Sequence, residues 1–223
     1  MAAAGVWHIK GLDNISVEMR ALKGANLGYA TSTRGLDHLR GMCVPEEVQL
    51  PPEVGEALYG IPEIGDPDTY ERKAESVVWL EKFTATAAAS GICLFNTVWI
   101  CAPLGPQELA DLLTTATGEE FDTERVFQVG ERIYNLERAF IVREGITRKD
   151  DYPPQIVFET AIPDGARKGA KMDRAKYDEM LDEYYHLMGW EKETGVPLTE
   201  TLQALDLADV ADDLKALGQA QVA

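Results

Sequence analysis

The sequence predicts a mainly α-helical protein with little or no sheet. Two stretches provide the evidence, because their apolar residues recur at the three- and four-residue spacing of one helix face. These two sets are Val126, Val129, Ile133, Leu136 and Phe140, and then Tyr177, Leu181, Tyr184 and Met188. Only Trp7 to Leu12 has a strand-like pattern early in the chain, and it is short.

Composition and charge restrict the classes of function. The 223 residues are 45% hydrophobic, which is enough to bury a core, and the formal net charge is −17. So acidic a chain is a poor match for nucleic acid or an anionic membrane. We therefore expect no nucleic-acid partner and no membrane association.

Three cysteines, Cys43, Cys93 and Cys101, are widely spaced and form no Cys-x-x-Cys pair. An odd number of scattered cysteines favours a reducing cytoplasm over a disulfide framework. The N-terminus also has no basic region followed by an apolar signal core. We expect a cytoplasmic protein that cannot build a cysteine-only metal site from this chain alone.

The first 67 residues are predicted to form a loop-rich lead-in with a short helix. The cluster Thr31 to Thr33 offers N-cap side chains for a helix from about Ser32 to Met42. Val44 to Pro67 contains five of the 11 prolines. We expect a loop there, with at most one helical turn near Val54 to Leu58.

Residues 68–223 are predicted to form a helical body, and its first long helix lies within Asp68 to Ile100. Asp68 followed by Glu71 has the spacing of a capping box at a helix start. The predicted buried stripe of this helix consists of Trp79, Phe83 and Ala87. From Ala85 onward the polar face disappears, so we expect the end of the helix to be covered on every side.

Four small residues, Ala88 to Gly91, end this helix shortly before Cys93. Small residues beside a thiol suit a bulky group packed against the backbone. Two readings remain open from the residues alone. Cys93 is either a ligand or an ordinary buried cysteine, since free cysteine is among the most buried residue types.

Further helices are delimited by caps and breakers. A short helix from Gln107 to about Ala116 is stopped by Gly118, and Asp122 caps the periodic helix that Gly145 ends. Asp150 to Lys171 is rich in Pro, Gly and charge, which indicates an extended surface segment. The last start signals are Thr199 and Asp209.

His38 lies in a stretch dense in Gly, Thr, Ser and Arg, which are not core-building residues. A positioned histidine can donate or accept a proton near neutral pH. The alternative is a histidine on a helix surface. Asp37 is not expected to orient His38, because adjacent residues of a helix do not face each other.

Several stretches together resemble the C-terminal part of the aldehyde ferredoxin oxidoreductase family. Members are tungsten or molybdenum enzymes with a bis-pterin cofactor and a [4Fe–4S] cluster. The matching stretches are Gly28 to Arg40 (GYATSTRGLDHLR), Ser90 to Phe95 (SGICLF), Gly130 to Phe140 (GERIYNLERAF), Val142 to Asp151 (VREGITRKDD), and Leu181 to Tyr185 with Gly189-Trp190 and Thr194-Gly195. The resemblance covers nearly the whole chain, in the order of the family.

The resemblance implies roles for individual residues. Cys93 matches the last cluster cysteine of the family and would ligate iron. Gly91 and Ile92 match the Gly-Leu of the pattern Asp-x-x-Gly-Leu-Cys and would border the cofactor. Ala88 stands where the family has the aspartate that hydrogen-bonds a pterin. His38 matches a histidine near the metal and the substrate, which makes it the candidate acid or base.

The resemblance also implies that much of an enzyme is absent here. Family members carry an N-terminal pterin-binding domain and a Cys-x-x-Cys-x-x-x-Cys motif, and neither occurs in this chain. The chain would be a C-terminal domain or split subunit of an enzyme that oxidises aldehydes and reduces ferredoxin, and we expect it to be inactive alone. A relative acting on aromatic acyl-CoA esters leaves the substrate open. The alternative is a repurposed helical interaction domain without a cofactor.

Overall fold

The computed structural model describes residues 7–13, 17–41 and 43–218, and in this part the protein is mainly α-helical, which confirms the predicted fold class. The first elements are β1 (His8–Ile9), β2 (Leu12–Asp13), α1 (Lys23–Thr31), α2 (His38–Gly41), α3 (Val44–Glu47), α4 (Pro52–Tyr59) and α5 (Lys73–Ala89). The later ones are α6 (Pro106–Thr117), α7 (Thr123–Arg143), α8 (Ile156–Glu159), α9 (Arg174–Met188), α10 (Thr199–Ala204) and α11 (Ala208–Ala216). Short 3-10 turns lie at Met19–Ala21, Pro62–Gly65, Leu94–Asn96, Val98–Ile100 and Arg148–Asp150.

The chain divides into two compact units. The first comprises the described residues of Met1–Val77 together with Lys149–Tyr184. The second comprises the described residues of Val78–Arg148 and Tyr185–Ala223. In the first unit β1 and β2 pair antiparallel, with His8 opposite Asp13.

Helix α1 is buried along its whole length, and a carboxylate stabilises its N-terminus. Glu46 accepts hydrogen bonds from the backbone N–H groups of Lys23, Gly24 and Ala25 at 2.8, 3.0 and 2.9 Å. These are helix-end donors that have no partner within the helix. The Nζ atom of Lys73 lies 3.4 Å from the same carboxylate, and both side chains are fully buried.

The prediction of a helix from Ser32 to Met42 is wrong in the described part of that range. Helix α1 ends before it, at Thr31, and the chain then turns until α2 begins at His38; Met42 lies outside the described residues. The turn contains Gly35 at φ +86°, where a Cβ atom would lie 2.6 Å from the carbonyl oxygen of Ile9. Only glycine tolerates both constraints, and they interrupt the helix. The range Val44 to Pro67 is more helical than predicted, since it includes α3 as well as α4.

The predicted capping box at Asp68 and Glu71 is also wrong. Arg72 has a φ of +52°, and α5 begins one residue later, at Lys73. The side chain of Asp68 instead pairs with Arg167 at 3.0 Å within the first unit. The carboxylate of Asp68, which the local sequence pattern predicts as a helix cap, therefore makes a tertiary ion pair instead.

The predicted surface segment from Asp150 to Lys171 is partly buried. It contains α8, whose Val157 is fully buried, and the fully buried Asp151. The Nζ atom of Lys10 pairs with Asp151 at 2.6 Å. A charge so deeply buried is retained because it has an opposite charge beside it. The periodicity of α9 is confirmed, since Tyr177, Leu181, Tyr184 and Met188 are all buried.

Helix α7 of the second unit begins and ends as predicted. Asp122 accepts a hydrogen bond from the Arg125 N–H at 2.8 Å, and Gly145 follows the helix at φ +96°. The N–H groups of Gly145 and Ile146 bond to the carbonyls of Val142 and Ile141 in a Schellman motif. Helices α10 and α11 begin at Thr199 and Ala208, close to the predicted starts.

The buried face of α7 is the predicted one only in part, since Val126 is buried but Leu136 and Phe140 are not. Leu136 and Phe140 are 45% and 56% exposed. The buried residues of the helix are Val126, Gly130, Tyr134, Asn135, Arg138, Ala139 and Val142. This face is buried despite its polar groups because they have partners: Tyr134 donates to Glu81 at 2.8 Å, and Asn135 accepts from the Trp190 ring N–H at 2.8 Å.

Close backbone approach explains why Gly130 lies on that face. A Cβ atom at position 130 would lie 1.7 Å from the carbonyl oxygen of Lys82 on α5. The next residue, Glu131, also pairs with the Lys82 ammonium at 3.0 Å. At this point the two helices are in contact through backbone and not through a layer of side chains.

We predict that Gly130→Ala destabilises the chain by about 1–3 kcal/mol, because the added methyl group must displace backbone. Chemical denaturation followed by circular dichroism measures the effect. Gly24→Ala is the matched control, since its Cβ would make ordinary 3.4 Å contacts inside a helix. Equal stability losses in the two variants would contradict this view of the α5–α7 contact.

Candidate functional site

Cys93 is placed by the way α5 ends. Gly91 has a φ of +76°, its N–H bonds to the carbonyl of Ala88, and the N–H of Ile92 bonds to the carbonyl of Ala87. These two bonds form a Schellman motif, which terminates a helix and redirects the chain. The carbonyl of Cys93 then accepts from the N–H of Asn96 at the next 3-10 turn. Cys93 therefore lies in the two-turn junction directly beyond the helix.

The thiol of Cys93 is exposed, so the reading of an ordinary buried cysteine is wrong for this chain. The expectation that α5 is covered on every side from Ala85 onward holds only as far as Ala87. Ala88 to Gly91 are exposed, and Phe95 is 57% exposed. The helix end reaches the surface, and an uncharged strip leads from it to the thiol.

Gly91 and Ile92 are the residues predicted to border a cofactor, and Cys93 is the predicted metal ligand. All three lie at this junction beyond α5. Among the described residues there is no group of three or more His, Cys, Asp or Glu side chains able to hold a metal ion. Cys93 fits the role of a single thiolate ligand whose companion ligands come from elsewhere. No side chain lies above Gly91, where a Cβ would have open space around it.

Ala88 does not fit the pterin-binding role of the family aspartate at that position. Its exposed methyl group cannot accept a hydrogen bond. The neighbouring Ser90 hydroxyl, just beyond α5, donates to the Thr86 carbonyl at 2.8 Å. A pterin on this side would therefore be held without the family's carboxylate.

His38 is the first residue of α2, and its side chain is 35% exposed. The carboxylate of Asp37 caps this helix by accepting from the Leu39 N–H at 2.9 Å. The other carboxylate oxygen of Asp37, Oδ2, lies 3.1 Å from Nη1 of Arg34. The imidazole of His38 therefore lies at the start of α2, between the capping carboxylate of Asp37 and solvent.

The prediction that Asp37 does not orient His38 assumes that both residues are helical, and that premise is wrong. The Oδ1 atom of Asp37 lies 3.9 Å from Nδ1 of His38. Asp37 precedes the helix and does not belong to it, so the rule for adjacent helical residues does not apply. The two groups form an ion pair only when the imidazole is protonated. His38 belongs to the first unit, whereas Cys93 belongs to the second.

Sequence reasoning missed several fully buried charged residues, among them Glu46 and Arg138. The Nε atom of Arg138 donates to the Gly195 carbonyl at 2.8 Å, and its guanidinium lies 4.4 Å from the Trp190 ring centre. No apolar periodicity marks such residues. Arg138, Trp190 and Gly195 lie in stretches that resemble the family, and Glu46 lies in none of them.

No helix in the described ranges has the length and apolar character needed to cross a membrane.

Comparison with known proteins identifies the class. A family model described as aldehyde ferredoxin oxidoreductase, domains 2 and 3, matches residues 2–207. The chain belongs to this family, which confirms the resemblance seen in its motifs.

Two curated relatives are tungsten-containing aldehyde ferredoxin oxidoreductases. The protein from Pyrococcus furiosus is 32% identical over 203 residues, which cover 90% of this chain and 31% of the relative. The protein from Pyrococcus abyssi is 34% identical over 192 residues, which cover 85% and 29%. The chain therefore spans less than a third of the length of these relatives.

A solved structure with a similar fold is the active site complex BamBC of benzoyl coenzyme A reductase in complex with 1,5-dienoyl-CoA. It aligns with a TM-score of 0.57 at 27% identity, and the alignment covers 70% of this chain and 22% of the other. The likeness in fold therefore extends to an enzyme complex named as a benzoyl coenzyme A reductase.

We predict that Cys93 reacts rapidly with a dithionitrobenzoate reagent in the native chain, because its thiol is exposed. Cys43 is buried and should react only after unfolding. The release of the coloured thiolate measures both phases. In a Cys101→Ser background, which removes the partly exposed third cysteine, Cys93→Ser should abolish the fast phase, and its persistence there would contradict the assignment.

Proposed function

We propose that the chain is the C-terminal part, or a split subunit, of an aldehyde ferredoxin oxidoreductase-like enzyme. The complete enzyme would oxidise an aldehyde to a carboxylic acid and pass the electrons through a [4Fe–4S] cluster to ferredoxin. The observation that carries the proposal is the exposed Cys93 beside Gly91, in a motif of the family to which the chain belongs.

Cys93 would supply one thiolate to the cluster. A [4Fe–4S] cluster is usually held by four cysteine thiolates. Cys43 is buried and Cys101 lies in a separate turn, so neither offers an obvious companion ligand. The other three ligands would come from a Cys-x-x-Cys-x-x-x-Cys motif in a missing part of the enzyme. Gly91 and Ile92 would border the cofactor through their backbone, since Gly91 carries no side chain.

The relatives are named as tungsten-containing, so a tungsten cofactor is the one expected in the complete enzyme. Bound to pterins, tungsten (or molybdenum) would supply the two-electron oxidation chemistry. Ala88 offers this group no hydrogen-bond acceptor. The pterin contacts in this enzyme would therefore come mainly from an N-terminal domain outside the chain or from a companion subunit.

His38 would act as the acid or base on the substrate side. Its half-exposed imidazole can exchange a proton with a ligand, and the Asp37 carboxylate 3.9 Å from Nδ1 would orient the ring and stabilise its cationic form. Arg34 holds that carboxylate from the other side, at 3.1 Å. The three residues form a connected polar group at the start of α2.

An aldehyde is the proposed substrate class because of the names of the curated relatives. Ferredoxin is the proposed electron acceptor on the same ground. The repurposed, cofactor-free domain remains the competing hypothesis, and Ala88 is the residue that motivates it. Iron content of the assembled enzyme separates the two.

We expect Cys93→Ser to lose cluster iron when the chain is co-produced with a polypeptide carrying the pterin domain and the three-cysteine motif. The reason is that serine is a poor substitute for a thiolate ligand of iron. Iron content and visible absorbance measure the loss, and Cys101→Ser is the control. Unchanged iron in Cys93→Ser would remove Cys93 from the cluster and favour the cofactor-free domain.

His38→Ala should lower kcat of the assembled enzyme by about 10²–10⁴, the usual effect of losing a general acid or base. Stability should change little, because the ring is partly exposed. Steady-state kinetics and thermal unfolding measure the two effects. His186→Ala, at an exposed position of α9, is the control. An unchanged kcat with a loss of stability would make His38 a structural residue.

A further inference from the structure

The sequence contains a single Asp-Gly pair, Asp164-Gly165, and no Asn-Gly pair. Both residues are exposed in a turn of the first unit. Asp-Gly pairs are prone to rearrangement, because glycine has no side chain to keep its backbone nitrogen away from the preceding carboxyl group. The pair therefore marks a potential site of covalent modification that the proposed function does not use.

The backbone nitrogen of Gly165 already lies against the side chain that it would attack. Its N–H donates to Oδ1 of Asp164 at 2.8 Å, so the nitrogen contacts the carboxyl group of the preceding residue. Asp173 differs, since it accepts from the N–H of Lys176, three residues further on. Two reacting groups that are held in contact need little further ordering before they react.

The surroundings of Gly165 leave room for a cyclic intermediate. A Cβ atom at this position would have no other atom within 4 Å. Backbone hydrogen bonds close the turn: the Ile162 N–H bonds to the Ala170 carbonyl at 2.9 Å, and the Gly169 N–H bonds to the Ile162 carbonyl at 2.8 Å. A five-membered ring can therefore form within the turn without displacing packed atoms, while the ends of the turn stay fixed.

We propose that Asp164 is a site of isoaspartate formation in the folded chain. The Gly165 nitrogen attacks Cγ of Asp164, an N–C bond forms, and the nitrogen proton leaves with the carboxyl OH as water, which gives a succinimide. Water then adds to one of the two ring carbonyl carbons, and the ring C–N bond at that carbon breaks. Opening at the α-carbonyl leaves the peptide bond on the side chain and yields isoaspartate, whereas opening at Cγ restores aspartate.

The fold should tolerate the modification. Isoaspartate adds one carbon atom to the backbone between residues 164 and 165. The same turn contains Arg167, whose guanidinium pairs with Asp68 at 3.0 Å, and the Asp68 side chain is 76% exposed. Because so exposed an ion pair contributes little to stability, its displacement leaves the unit folded. The isoaspartyl form therefore accumulates as a folded protein.

The first test is ageing of the 223-residue chain at neutral pH and physiological temperature. Peptide mapping by mass spectrometry should show isoaspartate at Asp164 ahead of the other aspartates. A protein isoaspartate methyltransferase with radiolabelled S-adenosylmethionine detects the same group independently. Asp173, which is followed by Arg174, is the internal control. Absence of isoaspartate at Asp164, or equal accumulation at Asp173, would overturn the proposal.

Two substitutions test whether the reaction passes through the ring at this position. Asp164→Asn should react faster and release ammonia, because a carboxylate must be protonated before it can lose water. Asp164→Ser keeps a side-chain oxygen in the turn but has no carboxyl carbon to attack, so it should remove the methyltransferase signal. A signal that persists in Asp164→Ser, or an Asp164→Asn variant that releases no ammonia, would overturn the assignment.

Comparison with the chain unfolded in urea tests the contribution of the fold. The rate of isoaspartate formation at Asp164 should be at least as high in the native chain, because the contact between the Gly165 nitrogen and the carboxyl group is held there and lost on unfolding. A native rate that is lower by about tenfold or more, a barrier increase of about 1.4 kcal/mol, would show that the turn protects Asp164 and would overturn the proposal.

Discussion

The buried carboxylate of Glu46 is the interaction on which the first unit depends. It is fully removed from water, and it is compensated by three backbone N–H groups at the start of α1 and by the ammonium of Lys73. Such a charge is tolerated only when nearly all of its hydrogen-bonding capacity is used. One side chain thereby joins α3, the first turn of α5 and the N-terminus of α1. Helix α1 needs this anchor because it is buried all round and includes polar residues such as Asn26.

The anchored α1 determines where the turn before His38 begins. From its last residue, Thr31, the chain has only six residues before α2, and Gly35 must approach the backbone of Ile9 closely. Asp37 is left just outside α2, where its carboxylate can cap the helix and approach His38 as well. The polar group at the candidate site is thus a consequence of helix termination.

Backbone constraints place Cys93 in a similar way in the second unit. Gly91 closes α5 through a Schellman motif, and Gly130 allows α7 to contact the backbone of α5 at Lys82. Helix α5 therefore contacts α7 near its middle and ends in a Schellman motif. As a result, Cys93 lies at a junction whose backbone is held by hydrogen bonds. In the proposed function, Cys93 and the exposed Phe95 would lie on a surface that the rest of the enzyme covers.

The sequence by itself determined the helical class, the helix-ending roles of Gly118 and Gly145, the cap at Asp122 and the buried positions of α9. These features depend on residues close together in the chain, where backbone sterics and periodicity decide the outcome. The motifs around His38 and Cys93 also identify the family from sequence alone. Tertiary structure alone decided the rest. It buried Glu46, Arg138 and Asp151 with distant partners, turned the polar face of α7 inward, and moved Asp68 from a cap to an ion pair with Arg167. The free energy of a buried polar group depends on which partners the fold brings to it from elsewhere in the chain, and local sequence spacing does not encode that.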